Sequence, residues 1–104
     1  MQAVIAVTGK DYVGIIADVS QECKKFKVNI SDVSQTVLKD YFVMIMLVEL
    51  ENMEAPFSEF SDAMRDLGKE RGLVIHTMHE DIFNSMHKIW FGYRRKLGLQ
   101  YDQN

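Results

Sequence analysis

The chain has 104 residues, 47% of them hydrophobic and 26% charged, which describes one globular domain with a single core and excludes a disordered chain. Fifteen acids against 12 bases leave a formal net charge of −3, which argues against nucleic acid as a partner because phosphate contacts call for a basic patch. Cys23 is the only cysteine, so no internal disulfide can form, and the longest apolar run, Tyr41 to Val48, is far short of the ~20 residues of a spanning helix.

Ala3 to Val7 is a short, continuously apolar run, as expected of a strand buried on both faces, and Thr8-Gly9 gives a turn signal behind it. The run is too short for a signal peptide's core and follows no basic region, so a cytoplasmic location is expected. Between Val13 and Phe26, the positions of Ile15, Ile16, Val19, Cys23 and Phe26 follow helical spacing, with Asp11 placed to cap the first turn. Val28 and Ile30 alternate as a strand, and Val33, Gln35 and Val37 continue it in the other phase, which predicts a β-bulge near Ser31-Asp32. Lys39-Asp40 reads as a tight turn into a second strand, Tyr41 to Leu50. Pro56 suits the first turn of a helix carrying Phe57, Phe60, Met64 and Leu67 on one face, and Gly72 suits its left-handed cap. Leu73 to His79 is the last strand.

The order is β-α-β-β-α-β, which predicts an α+β, ferredoxin-like sandwich with both helices on one face of a four-stranded antiparallel sheet. In the strand from Tyr41, the residues Phe42, Met44, Met46 and Val48 point one way, and Tyr41, Val43, Ile45 and Leu47, equally apolar, point the other. A solvent-facing sheet surface would be polar, so something must cover the second face. Ile82, Phe83, Met86, Ile89, Trp90, Tyr93 and Leu97 fall on one helical stripe. The expected division is therefore a domain over residues 1–80 and an amphipathic helical extension over 81–104, packed on its own sheet or on a partner subunit's.

The run Val7-Thr8-Gly9-Lys10-Asp11-Tyr12-Val13-Gly14-Ile15-Ile16-Ala17, with Val28-Asn29-Ile30-Ser31-Asp32 at its spacing and the apolar hairpin after it, resembles an ACT domain. The pattern is similar to free-standing ACT proteins and to the ACT repeats of the glycine cleavage system transcriptional repressor. The resemblance implies a regulatory domain without catalytic activity or cofactor, which binds an amino acid between two copies and acts on a protein partner. Residue by residue, it assigns the first-loop contribution to Asp11, Tyr12, Val13, Gly14 and Ile15, and the second-strand contribution to Asn29 and Ile30 of a neighbouring chain. Many members of that family carry proline just before the loop glycine, where this chain has Val13, so the loop is less rigidly preset. The chemistry agrees: a helix N-terminus seats a carboxylate, Gly14 lets a ligand approach the backbone, and Asn29 both donates and accepts.

Other signals point to less. Gly9 and Gly14 have phosphate-loop spacing, but Ile15-Ile16 stand where Lys and Ser/Thr are needed. His76 and His79 project from opposite faces of a strand, so with His87 they read as surface histidines, and no metal site is expected. Cys23 lies on the first helix's apolar stripe and reads as core. Glu49, Glu51 and Glu54 read as a solvated strand end, and Met44 and Met46 as core. Two alternatives stay open: an oligomerisation module without a small ligand, and an RNA-binding ferredoxin-like domain. For the latter, the tail's Trp90, Phe91, Tyr93, Arg94, Arg95 and Lys96 mix aromatic with basic residues, whereas Lys39 to Met44 matches the RNA-binding octamer poorly.

Overall fold

The computed structural model describes residues 1–10 and 13–82. The elements are β1 (Gln2–Lys10), α1 (Ile15–Lys25), β2 (Asn29–Leu38), β3 (Tyr41–Glu49), α2 (Phe57–Arg71) and β4 (Val74–His79). Four strands form one sheet in the order β2-β3-β1-β4, with every neighbouring pair antiparallel. This is the expected βαββαβ arrangement, and it leaves β2 and β4 at the edges.

The helices cover one face. Ala3, Ile5 and Val7 of β1, Phe42, Met44, Met46 and Val48 of β3, and Ile75 of β4 pack there against Ile15, Val19 and Cys23 of α1 and Phe60, Met64 and Leu67 of α2. Phe26 extends this core and meets the Phe60 ring edge to face, with centroids 5.3 Å apart. Ile16 falls outside the buried stripe and stays exposed, because α1 starts at Ile15 and places it off the sheet-facing side.

The predicted bulge is present. Ile30 faces Val48 and Val33 faces Met46, so three residues of β2 span what two of β3 span. The insertion returns Val33 to the helix side, where it packs on the core. The Val33 amide donates to the Asp32 carboxylate at 2.9 Å, which satisfies a backbone group left over by the irregular ladder. Lys39-Asp40 forms the expected two-residue turn, with Leu38 opposite Tyr41 and Lys39 at φ 55°.

α2 begins after Pro56 and ends at Gly72 in the left-handed region, as expected. Gly68, inside α2, is a contact glycine. A Cβ there would meet the Leu73 carbonyl oxygen at 2.9 Å and Ile75 Cγ1 at 3.0 Å, so α2 lies almost directly on the start of β4. Residues 80–82 begin a further helical turn; the rest of the expected 81–97 helix lies outside the described residues.

Alanine normally stabilises a helix interior by about 1 kcal/mol relative to glycine. Gly68→Ala should do the opposite and lower stability by about 1–3 kcal/mol, since backbone cannot give way as a flexible side chain would. Urea unfolding of the two proteins checks this; a more stable variant would show that α2 and β4 are not this closely apposed.

Candidate functional site

The first-loop half of the expected site lies at the start of α1. Val13 is 90% exposed, Gly14 is exposed, and Ile15 is buried in the core as the first helical residue. Asp11 and Tyr12 lie outside the described residues, and so does any capping role of Asp11. Gly14 itself stands at the N-cap with φ 86°, a left-handed conformation that side chains with a Cβ resist, and among the described residues nothing lies within 4 Å of where a Cβ would be. The first intrahelical bond is Asp18 N–H donating to the Gly14 carbonyl at 3.1 Å. The amides of residues 15–17 therefore have no acceptor inside the helix, and the N-cap residue Gly14 has no side chain to cap them. This leaves donors and a partial positive charge beside an open approach. Asp18, in the same turn, pairs with Arg71 Nε at 3.2 Å, which offsets its charge near that approach.

The second-strand half lies elsewhere. Asn29 opens β2 opposite Glu49, which itself stands opposite Gln2, whereas the first loop follows Lys10 at the other end of β1. Eight strand residues separate those two rows, about 27 Å. α1, 11 residues and about 16 Å long, likewise has Gly14 at one end and the turn into Asn29 at the other. One chain does not bring the two halves together. Ile30 packs partly on the core, while Asn29 is exposed and, by register with Glu49, belongs to the row facing away from the helices.

One groove borders the second-strand half, and another lies at the end of the sheet where the first loop begins. Beside Asn29 and Ile30 lies an open groove of about 780 Å³, flanked by Lys24, Lys27, Asn52 and Glu54. Near the first-loop end, Lys10, Val37, Lys39, Tyr41 and Phe42 line a second of about 520 Å³. The sequence reading missed the lysines Lys10 and Lys39 here; their only sequence signal was flanking the two turns at one end of the sheet. In the first groove Lys27 is tied to Glu54 at 3.0 Å.

The groove also contains Cys23, whose thiol is buried and pushed up to about 12 by desolvation and then by the adjacent Glu22, so it is not a nucleophile at neutral pH. His76 is exposed, and His79 contacts the Phe57 ring and lies 3.6 Å from Asp81. Among the described residues no three His, Cys, Asp or Glu side chains converge to hold a metal. None of the described helices is long and apolar enough to cross a membrane.

Comparison with known proteins identifies the fold and family. A UPF0237 protein of Listeria innocua is 42% identical over 89 residues, 86% of this chain and all of the relative. The solved structure of an ACT domain protein from Streptococcus pneumoniae superposes with a TM-score of 0.71 at 35% identity, covering 80% of this chain and 93% of that one. A protein described as a glycine cleavage system transcriptional repressor shares the fold at 22% identity, with a TM-score of 0.61 over 73% of this chain and 43% of its own. The ACT domain family model matches residues 1–78, with the open glycine at the start of α1 and the edge strand β2 both inside the match, and the chain belongs to the ACT domain family.

Proposed function

We propose that this chain is a small cytoplasmic regulatory module that binds an amino acid or similar metabolite between two of its own copies, acts on a protein partner and catalyses no reaction. The observation that carries the reading is the separation of the two half-sites along the sheet, together with the open edge of β2 between them. β2 offers a 10-residue unpaired edge, which is a template for another strand. Antiparallel pairing of two β2 edges about a two-fold axis gives an isologous interface. It sets Asn29 of one copy beside the Leu38 end of the other, where Lys10, Lys39 and the first loop lie. A carboxylate would then meet the amides at the start of α1, and an amino or amide group would meet the partner's β2 at its Asn29-Ile30 end, where Ile30 is on the helix side.

A thermal-shift screen against the common amino acids tests the ligand. At 100 times its Kd a ligand adds about 2.7 kcal/mol, which for a domain of this size raises Tm by roughly 10–20 °C. No shift with any of them, alongside salt-sensitive RNA binding, would replace this reading with the RNA-binding one.

Gly14→Val should abolish that shift, since a branched side chain would occupy the approach, and it should also cost about 1–2 kcal/mol for the left-handed backbone. Gly14→Asn tolerates that backbone and should fold while still losing affinity. Full affinity in a folded Gly14→Asn or Gly14→Val protein would place the ligand elsewhere. Light scattering should report at least a dimer; a monomer with and without ligand removes the shared site.

A further inference from the structure

The second face of the sheet carries an apolar band with sharp limits. In rows from one end to the other it runs Val4 with Leu47 and Met78, then Ala6 with Ile45, then Val43 and Val74, then Tyr41. In the rows of Leu47, Ile45 and Val43 it stops at β2, whose residues there are Asp32, Ser34 and Thr36. The band is three strands wide in the Val4 row, about 10 Å, which is the diameter of one helix, and narrows beyond it, where His76, Thr8 and Lys10 stand among the apolar residues. Its length from the Val4 row to the Tyr41 row is about 20 Å. A second sheet laid face to face would need apolar residues on β2 as well; a single helix would not.

Burial along the band is uneven. Val4 is 2% exposed at the end where β4 leaves the sheet, but farther along Ile45, Val74 and Tyr41 are exposed, the last two to 53% and 55%. The chain carries one amphipathic stripe that the core does not use, from Ile82 through Phe83, Met86, Ile89, Trp90 and Tyr93 to Leu97. As a helix, residues 82–97 measure about 23 Å, the length of the band. Ile82, the stripe's member among the described residues, is 56% exposed, so the described start of the stripe leaves its apolar surface open.

We propose that the occupant of this face is residues 83–97 of a second copy, in a reciprocal exchange of C-terminal helices. The stripe lies on the partner's band, and the off-stripe residues Lys88, Arg95 and Lys96 stay in water. This surface is distinct from the β2 edge, so the exchange stands or falls independently of the ligand site.

Trp90 is the only tryptophan and reports on the contact directly. Its emission should be blue-shifted and shielded from acrylamide at high protein concentration, and should move red with several-fold greater quenching on dilution. Ile45→Asp, which leaves the helix-side core untouched, should give the diluted-state signal at all concentrations. Ile45→Cys and Met86→Cys chains, unfolded together, co-refolded and oxidised, should form a mixed disulfide dimer; buried Cys23 stays out of the reaction. Trp90 shielded at every dilution with no mixed disulfide would mean that each helix covers its own sheet, and Trp90 open to quencher at every concentration would mean that no tail covers the face. Either result overturns the exchange.

Discussion

The carboxylate of Glu49 ties three strands together at one end of the sheet. Gln2 Nε2 donates to it at 2.6 Å from β1, and Ser31 Oγ donates to it at 3.2 Å from β2. Ser31 is the extra residue of the bulge, so this contact holds the irregularity where it is. Much follows from it. Side chains alternate along a strand, so without the insertion Val33, Gln35 and Val37 would exchange faces with Asp32, Ser34 and Thr36. Val33 would leave the core, and the polar column that bounds the second face would become apolar. Asn29 stands on the near side of the bulge, so its face relative to the rest of β2 is set by the same residue.

The start of α1 depends on a backbone constraint of a different kind. A left-handed residue at the N-cap redirects the chain from β1 into the helix, and glycine adopts that conformation without a steric cost. Glycine also has no side-chain oxygen to satisfy the first amides, so the residue that makes the turn possible does not itself close the helix end. A Ser or Asp cap would close the helix end and remove the anion seat. Arg71, reaching from the end of α2 to Asp18, keeps an acid in the first turn from filling that role electrostatically.

Most of the fold was legible in the residues because each element has a one-sided apolar pattern. The alternation of Phe42, Met44, Met46 and Val48 marked the buried side of β3, and the phase change after Ile30 marked the bulge before any pairing was known. Pro56 and Gly72 bracketed α2 for reasons of backbone geometry alone. The start of α1 was read two residues early because apolar spacing cannot register a positive φ at Gly14. The site was legible only as two fragments. Gly14 and Asn29 are 15 positions apart in sequence, yet they stand at opposite ends of the sheet, and only strand register reveals that. Lys10 and Lys39 went unnoticed because a lysine beside a turn is ordinary until two turns prove to share one end of a sheet.

On the proposed reading, a site divided between two chains makes ligand binding and assembly a single linked equilibrium. A ligand that bridges first loop and partner strand stabilises the paired state over the separate chains, and by the same linkage pairing raises affinity for the ligand. The bound molecule therefore needs to induce no change within the domain, whose one core is closed by both helices and holds no buried charge among the described residues. What can vary is the relation between copies. This suits a chain whose half-sites lie at opposite ends of the sheet and do not meet within one chain, because on the proposed reading a partner protein would sense the presence of the pair. Among the residues of β2 whose burial is described, the edge carries Asp32, Ser34 and Thr36 on one face and one well-exposed valine, Val37, on the other. Such an edge has little apolar area to hold two chains together unaided, which leaves room for a small ligand to decide the balance.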